Sequence, residues 1–190
     1  MNVSANDMGG ISLTKRASGL SKVAVGLGWK SRSTTGVAFD LDVCAIGCKS
    51  NNKAYSEQYF VFFNNKSSPE GVIVLSGDNL SGSGAGDDEI ITADLTRLPA
   101  EVARVVFAAS IYEANLREQT FGQVEGALIR LVNDEGSAEM ARYDLSCNAS
   151  DRKAIVFGEV FRQDGKWTMH TIGQHYDSLA AIARHYGIEA

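Results

Sequence analysis

The sequence predicts an all-β fold, a sandwich or a barrel, with one short helix at its C-terminal end. Three observations lead to this prediction. Apolar and polar residues alternate in roughly ten short segments. Turn-forming residues separate these segments about every 8–12 residues, as is typical of sandwiches and barrels. A helical period appears only near the C-terminus.

Composition places the chain among ordinary globular proteins. It has 190 residues, of which 44% are hydrophobic and 22% charged, and we expect one domain over 1–190. The net charge of −5 argues against nucleic-acid binding. No apolar run is long enough to span a bilayer, and the first residues lack an apolar signal core. With three cysteines, an odd number, these features predict a cytoplasmic protein.

The strands are predicted from the alternation, in chain order. One strand, 22–29, has a face of small residues, Ala24, Gly26 and Gly28, which permits close approach of another layer. We expect hairpins between 58–63 and 71–76, across the turn 133–136, and across Asp164 and Gly165. The full set of predicted strands is 10–14, 22–29, 37–46, 58–63, 71–76, 89–95, 104–111, 121–132, 138–145, 154–163 and 166–173.

The final segment, 177–187, is predicted to be the helix. Leu179, Ile182 and Tyr186 fall on one helical face and should pack on the sheets. Asp177 is the expected N-cap residue and Gly187 the expected residue after the C-cap.

A glycine-rich acidic loop, 77–89, lies between two predicted strands. It contains the acids Asp78, Asp87, Asp88 and Glu89, the amide Asn79, and four glycines. Carboxylates, carboxamides and backbone carbonyls turned inward by glycine are the ligands that calcium prefers. A solvated surface loop without a metal is the alternative.

Two other segments carry candidate ligands. Asp40 and Asp42 share one face of the strand 37–46, about 7 Å apart, and Asn64 and Asn65 follow the strand 58–63. An exposed polar face and a capped turn are the simpler interpretations of these pairs. Together with the acids of the glycine loop, Asp40 and Asp42 make six negative charges, one more than the net negative charge of the whole chain, −5. Such local crowding favours recruitment of a cation.

Motifs of catalysis are weak. The sequence has no histidine pair with metal-ligand spacing, no serine in a nucleophile elbow and no phosphate-binding loop. Cys147 with His170 or His175 is the best candidate for a nucleophile and base, but their spacing gives it no support. We therefore predict that the protein is not an enzyme.

Eight short motifs are spread over almost the whole chain, in this order: Val25-Gly26-Leu27-Gly28-Trp29, Phe39-Asp40-Leu41-Asp42, Phe62-Phe63-Asn64-Asn65, Gly77-Asp78-Asn79, Gly86-Asp87-Asp88-Glu89, Phe121-Gly122-Gln123, Ala141-Arg142-Tyr143-Asp144-Leu145-Ser146 and Val156-Phe157-Gly158-Glu159. Together they resemble the TerD family of bacterial tellurite-resistance and general stress proteins. The chain departs from the family pattern at 113–117 and 174–178.

This resemblance implies a two-sheet β-sandwich that binds calcium and has no enzymatic activity. From the charge of the six crowded acids we predict one composite site that holds one or two calcium ions. The resemblance also implies a role in resistance to tellurite and other stresses within an assembly of Ter proteins, in the cytoplasm or peripherally at the inner membrane. The positions that match the family's metal-binding motifs are Asp40, Asp42, Asn64, Asn65, Asp78, Asn79, Asp87, Asp88 and Glu89. Direct handling of tellurite or oxidants by the thiols of Cys44, Cys48 and Cys147 is the alternative function.

Overall fold

Two antiparallel sheets packed face to face form the protein. The structure, a computed structural model, describes residues 11–13, 19–32, 35–77, 79–82, 86–134 and 138–189. The strands in these residues are β1 (Ile11–Leu13), β2 (Lys22–Gly28), β3 (Leu41–Cys48), β4 (Phe60–Val61), β5 (Ile73–Ser76), β6 (Glu89–Asp94), β7 (Arg104–Ile111), β8 (Leu128–Asn133), β9 (Ala138–Asp144), β10 (Ala154–Gln163) and β11 (Lys166–Tyr176). The helices are α1 (Leu145–Asn148) and α2 (Leu179–His185), with 3-10 turns at Glu57–Tyr59, Pro69–Gly71 and Phe121–Gln123.

The order of the strands confirms the two-sheet sandwich. The six-stranded sheet has the order β1-β9-β8-β2-β6-β5, and the five-stranded sheet has the order β11-β10-β7-β3-β4. Alternation directs one face of each strand into the core between the sheets. In β6, for example, Glu89, Ile91 and Ala93 are buried and the residues between them are partly exposed. None of the helices among the described residues is long and apolar enough to cross a membrane.

Strand β3 is buried on both of its faces. Phe39, Leu41 and Val43 belong to the core between the sheets. Cys44 and Ile46 lie on the other face, in a second apolar cluster with residues of α2. The central strand is therefore covered by a sheet on one side and by the C-terminal helix on the other.

The C-terminal helix is confirmed, with one shift at its start. Ile182 and Tyr186 are buried in the second cluster, and Leu179 packs against it. The N-cap residue is Ser178 rather than Asp177, because the Ser178 Oγ accepts a hydrogen bond from the backbone N–H of Ala181 at 3.1 Å. Gly187, with φ of 82°, ends the helix as predicted.

One predicted hairpin and one predicted strand are wrong. The segments 58–63 and 71–76 do not form a hairpin, because β4 pairs with β3 and β5 pairs with β6, in opposite sheets. The chain crosses between the sheets here, and only two residues of the aromatic segment remain in a strand. The long strand 121–132 is also wrong in its first half. A 3-10 turn with a capping box from Thr120 to Gln123 occupies it, and β8 begins at Leu128.

Candidate functional site

The glycine loop packs on the small face of β2. A Cβ atom added at Gly26 would lie 2.0 Å from Oδ2 of Asp87, and one added at Gly28 would lie 3.0 Å from the carbonyl oxygen of Gly86. Side chains at these positions would therefore displace the loop. The layer that the small face was predicted to admit is the acidic loop itself.

Trp29 joins this loop to the start of β3. Its backbone N–H donates to Oδ2 of Asp88 at 2.9 Å. Its indole Nε1 donates to the carbonyl oxygen of Phe39 at 3.2 Å. The loop also rests on the indole ring, since a Cβ atom at Gly82 would lie 2.4 Å from it. Trp29 is therefore a structural anchor. The sequence pattern did not indicate this role, although Trp29 is the last residue of the motif 25–29.

The amide of Asn79 and the carboxylate of Asp88 hold the loop in its conformation. Oδ1 of Asn79 accepts hydrogen bonds from the backbone N–H groups of Ser81 at 3.1 Å and Gly82 at 3.0 Å. Its Nδ2 donates to Oδ1 of Asp88 at 2.8 Å. The side chains of Asn79 and Asp88, both predicted calcium ligands, therefore form hydrogen bonds that fix the conformation of the loop.

Asp87 lies on the outer face of the six-stranded sheet, paired with Arg130 of β8. The guanidinium donates to both carboxylate oxygens at 3.0–3.1 Å, and these hydrogen bonds to Asp87 raise the pKa of Arg130. The pair continues to Glu139 and Arg142 of β9, where Arg142 lowers the pKa of Glu139. The sequence signal for Arg130 was a lone cation inside an apolar strand, but nothing local indicated its partner.

Glu89 points in the opposite direction, into the sandwich. Its side chain belongs to the inward face of β6 and the residue is 1% exposed. Oε2 accepts a hydrogen bond from the backbone N–H of Val43 in β3 at 2.8 Å. This carboxylate therefore bridges the six-stranded sheet to the five-stranded sheet.

Asp42 is the second deeply buried carboxylate, at 4% exposure. It flanks Val43 in β3, on the face that also carries Cys44. Burial raises the pKa of the Cys44 thiol, and the charges of Asp42 and Glu89 raise it further. Both carboxylates are thus close enough to act on one thiol. Asp40, just before β3, is partly buried and its backbone oxygen accepts a hydrogen bond from Tyr112 at 2.8 Å.

The predicted amide ligands after β4 have different surroundings. Asn64 is exposed. The Nδ2 of Asn65 donates to the backbone oxygens of Phe60 at 2.7 Å and Gln58 at 3.3 Å, as expected for an amide that closes a turn. Asp78 lies outside the described residues. Within the described part of the chain, no three or more His, Cys, Asp or Glu side chains form a group that could hold a metal ion.

The three cysteines have environments that keep their thiols protonated. Cys44 and Cys48 are buried and Cys147 is exposed. Burial raises the pKa of Cys48 to about 12, and the carboxylate of Asp144 raises the pKa of Cys147. Because the thiolate is the nucleophile and the metal ligand, these environments lower thiol reactivity.

Comparisons with known proteins agree with this architecture. The chain is 45% identical to tellurium resistance protein TerD of Serratia marcescens over the full length of both chains. It is 41% identical to general stress protein 16U of Bacillus subtilis (strain 168), with 94% of each chain covered. A crystal structure of SCO6318 from Streptomyces coelicolor A3(2), a homologue of telluride resistance protein TerD, superimposes with a TM-score of 0.76 at 25% identity, covering 87% of this chain and 95% of that one.

Other Ter proteins are related as well. The chain is 35% identical to TerX and 34% identical to TerZ of Serratia marcescens. The family model described as the TerD domain matches residues 1–186. The chain therefore belongs to the TerD family, whose members include proteins named for tellurium resistance and for general stress.

Proposed function

We propose that this protein is a calcium-binding, non-catalytic stress-response protein that contributes to tellurite resistance. The observation that carries the proposal is the burial of two carboxylates, Asp42 and Glu89, at one end of the sandwich. Both act electrostatically on the buried thiol of Cys44. Burial of like charges is costly unless a cation or hydrogen bonds compensate for it.

The donor set of this end of the sandwich suits calcium. Calcium takes six to eight oxygen ligands and tolerates irregular geometry. Asp42 and Glu89 would be the central ligands. Backbone carbonyls, amide oxygens and water would supply the other ligands, because no third acidic side chain of the described residues forms a group with these two. Magnesium should bind less well, because it requires tight octahedral geometry.

The remaining predicted ligands have a supporting role in this proposal. Asp87 is paired with Arg130, while Asp88 and Asn79 fix the fold of the loop. Asn64 and Asn65 lie at the turn after β4. They would complete the coordination shell only through side-chain oxygens that the hydrogen bonds of the turn do not use. One ion fits this reduced set more simply than two.

The names of the relatives support the cellular role. Proteins named for tellurium resistance and general stress share the full length or nearly the full length of this chain. We extend the proposal to an assembly with other Ter proteins, in the cytoplasm or at the inner membrane. Co-purification of the tagged protein with its Ter relatives in calcium but not in chelator would support the assembly, and equal recovery in both would contradict calcium dependence.

The thiol alternative receives no support from the geometry. Two of the three thiols are buried and all three have raised pKa values. Replacing Cys44, Cys48 and Cys147 by alanine should leave both calcium binding and tellurite resistance in place. Loss of resistance with intact calcium binding would favour the thiol function instead.

Calorimetric titration tests the proposed metal function. The native protein should bind calcium and bind magnesium more weakly. Asp42→Asn should lower calcium affinity at least tenfold. The control is Asp94→Asn, since Asp94 lies at the far end of β6 and hydrogen-bonds to Thr96. Absence of calcium binding by the native protein, or equal losses in both variants, would contradict the proposal.

A further inference from the structure

A cavity of about 430 Å³ lies on the outer face of the five-stranded sheet, between α2 and the segment 112–116. Its volume falls within the range of pockets that hold small organic molecules. Asp42 contributes to its lining together with Ser110, and both residues are almost fully buried. The cavity therefore reaches down to the central strands of the sheet.

Four aromatic rings form a continuous wall of this cavity. The rings of Phe60 and Phe62 are stacked with centroids 4.4 Å apart. Phe63 meets Phe62 edge to face at 5.1 Å, and Tyr112 meets Phe63 in the same way at 5.5 Å. Leu116, at the rim, is 79% exposed. Such a wall offers both apolar contact and the negative faces of aromatic rings.

The charged residues of the lining have one sign. Among the described residues that line the cavity, Asp42, Glu113 and Asp177 are acidic and none is basic. One cation outside the lining already contacts two of its residues. Arg117 lies 4.9 Å from the centre of the Tyr112 ring and hydrogen-bonds to Glu113 at 3.2 Å.

We propose that this cavity binds a small organic cation, an ammonium group carried on an apolar body. The apolar body would contact the aromatic wall, and the ammonium group would lie at the mouth beside the carboxylate of Asp177, with Asp42 and Glu113 adding to the negative charge of the lining. Aromatic faces attract cations, most strongly where water is excluded. Neutral and anionic molecules of the same shape would lose this attraction.

Three probes with one body and different head groups test the charge preference. These are 3-phenylpropylamine, 3-phenylpropanol and 3-phenylpropionate, titrated at pH 7 by calorimetry. EDTA is present throughout, so the outcome does not depend on whether calcium binds. The amine should bind about tenfold more tightly than the alcohol, and the carboxylate should bind most weakly. An alcohol that binds as tightly as the amine would overturn the proposal.

The carboxylate probe also tests the opposite preference. Lys153 is not part of the lining, but its Nζ donates to Oδ1 of Asn115, which is, at 2.6 Å. If this lysine dominated the field, 3-phenylpropionate would bind most tightly. That result would likewise overturn the proposal.

Paired variants test the location. Ala180 lines the cavity, whereas Ala181, the next residue of α2, is not part of the lining. Ala180→Trp should therefore abolish binding of the amine, and Ala181→Trp should leave it unchanged. Melting temperatures establish that both variants are folded. Unchanged affinity in a folded Ala180→Trp would place the ligand elsewhere and contradict the proposal.

A second pair keeps the test decisive if Ala180→Trp does not fold. Asp177→Asn removes a carboxylate at the mouth, and Asp151→Asn removes an exposed acid that is not part of the lining. Asp177→Asn should lower the affinity for the amine at least threefold and leave the affinity for the alcohol unchanged. Asp151→Asn should change neither affinity. Equal effects of the two variants on the amine would contradict the proposal.

Discussion

Three consecutive acids at the end of the glycine loop have three different environments. Asp87 lies outside the six-stranded sheet, in contact with the guanidinium of Arg130. Asp88 binds the backbone N–H of Trp29. Glu89 enters the sandwich and binds the backbone N–H of Val43. Strand alternation would place Asp87 and Glu89 on the same face, because they are two residues apart. They point in opposite directions because β6 begins only at Glu89, and the chain before it belongs to the loop.

This difference shows that sequence proximity is a poor guide to a shared metal site. The outward acids have basic or backbone partners that hold the loop on β2. The inward acid and Asp42, which stands 47 residues earlier in the chain, both lie close enough to Cys44 to raise the pKa of its thiol. We therefore expect substitutions on the outer side to affect stability in any buffer, and substitutions on the inner side to affect stability mainly in calcium.

The largest effect is expected where the loop touches β2. Gly26→Val would place its Cβ atom where Asp87 now lies, which displaces the loop and breaks the ion pair with Arg130. We predict a loss of about 3 kcal/mol in the free energy of unfolding, measured with urea in either calcium or chelator.

Ala24→Val is the matched control for Gly26→Val. Ala24 lies on the same face of β2, two residues away, and is partly exposed. Its replacement should cost less than about 1 kcal/mol. Equal losses for the two variants would show that contact with the loop is not what restricts position 26.

Glu89→Gln should act only through calcium. The amide keeps an oxygen that can accept the N–H of Val43 and removes one negative charge. In chelator its melting temperature should equal or exceed that of the native protein, because like charges are reduced. In calcium at about a hundred times the dissociation constant, it should lack the roughly 2.7 kcal/mol of stabilisation expected for the native protein. A variant that is less stable by the same amount in both buffers would assign Glu89 a purely structural role.

Asp87→Asn tests the outer side of the comparison. The amide retains the shape of the side chain but loses the charge that faces Arg130, while Glu139 still contacts that guanidinium. A partly buried, bidentate pair of this kind should be worth about 1 kcal/mol. Chemical unfolding should show this loss equally in calcium and in chelator. A loss confined to calcium would make Asp87 a ligand.

The smallest effect is expected at Asp94, at the other end of β6. The hydroxyl of Thr96 donates to Oδ1 of Asp94 at 2.6 Å, and this bond is the main reason that the pKa of Asp94 is lowered. A lowered pKa in the folded state stabilises the protein above the unfolded pKa of about 4, and this gain is lost as pH falls through the folded value. Because the group is partly exposed, Thr96→Val should cost only a few tenths of a kcal/mol at pH 7.

Urea unfolding at pH 7 and pH 3 checks the direction of this pH dependence. The difference between the native protein and Thr96→Val should be present at pH 7 and should shrink at pH 3. A difference that grows at low pH would contradict the assignment of the lowered pKa to this hydrogen bond.

Local pattern predicted the fold and the faces on which some residues of β2 and β6 lie. Alternation placed Ile91 and Ala93 on one face of β6, and that same alternation directs Glu89 inward. The small face of β2 likewise indicated a close layer. These features depend on side chains a few residues apart, so the sequence displays them directly.

Contacts between distant strands could not be predicted in the same way. The partner of Asp87 is 43 residues away on β8, and the approach of β6 to Val43 depends on how the two sheets stack. The supposed hairpin of 58–63 with 71–76 failed for the same reason, since both segments have strand patterns but belong to opposite sheets. Strand order is set by packing of the whole core rather than by any one segment.

Thermal unfolding of the native protein in calcium, in magnesium and in chelator tests the central claim most directly. Trp29 contacts the glycine loop. In a Trp167→Phe variant Trp29 is the one remaining tryptophan, so the tryptophan fluorescence then reports on this end of the sandwich. We predict a melting temperature that rises with calcium concentration, a smaller rise with magnesium, and a Trp29 signal that saturates with the same calcium dependence. Equal melting temperatures in calcium and chelator would contradict calcium binding at this site.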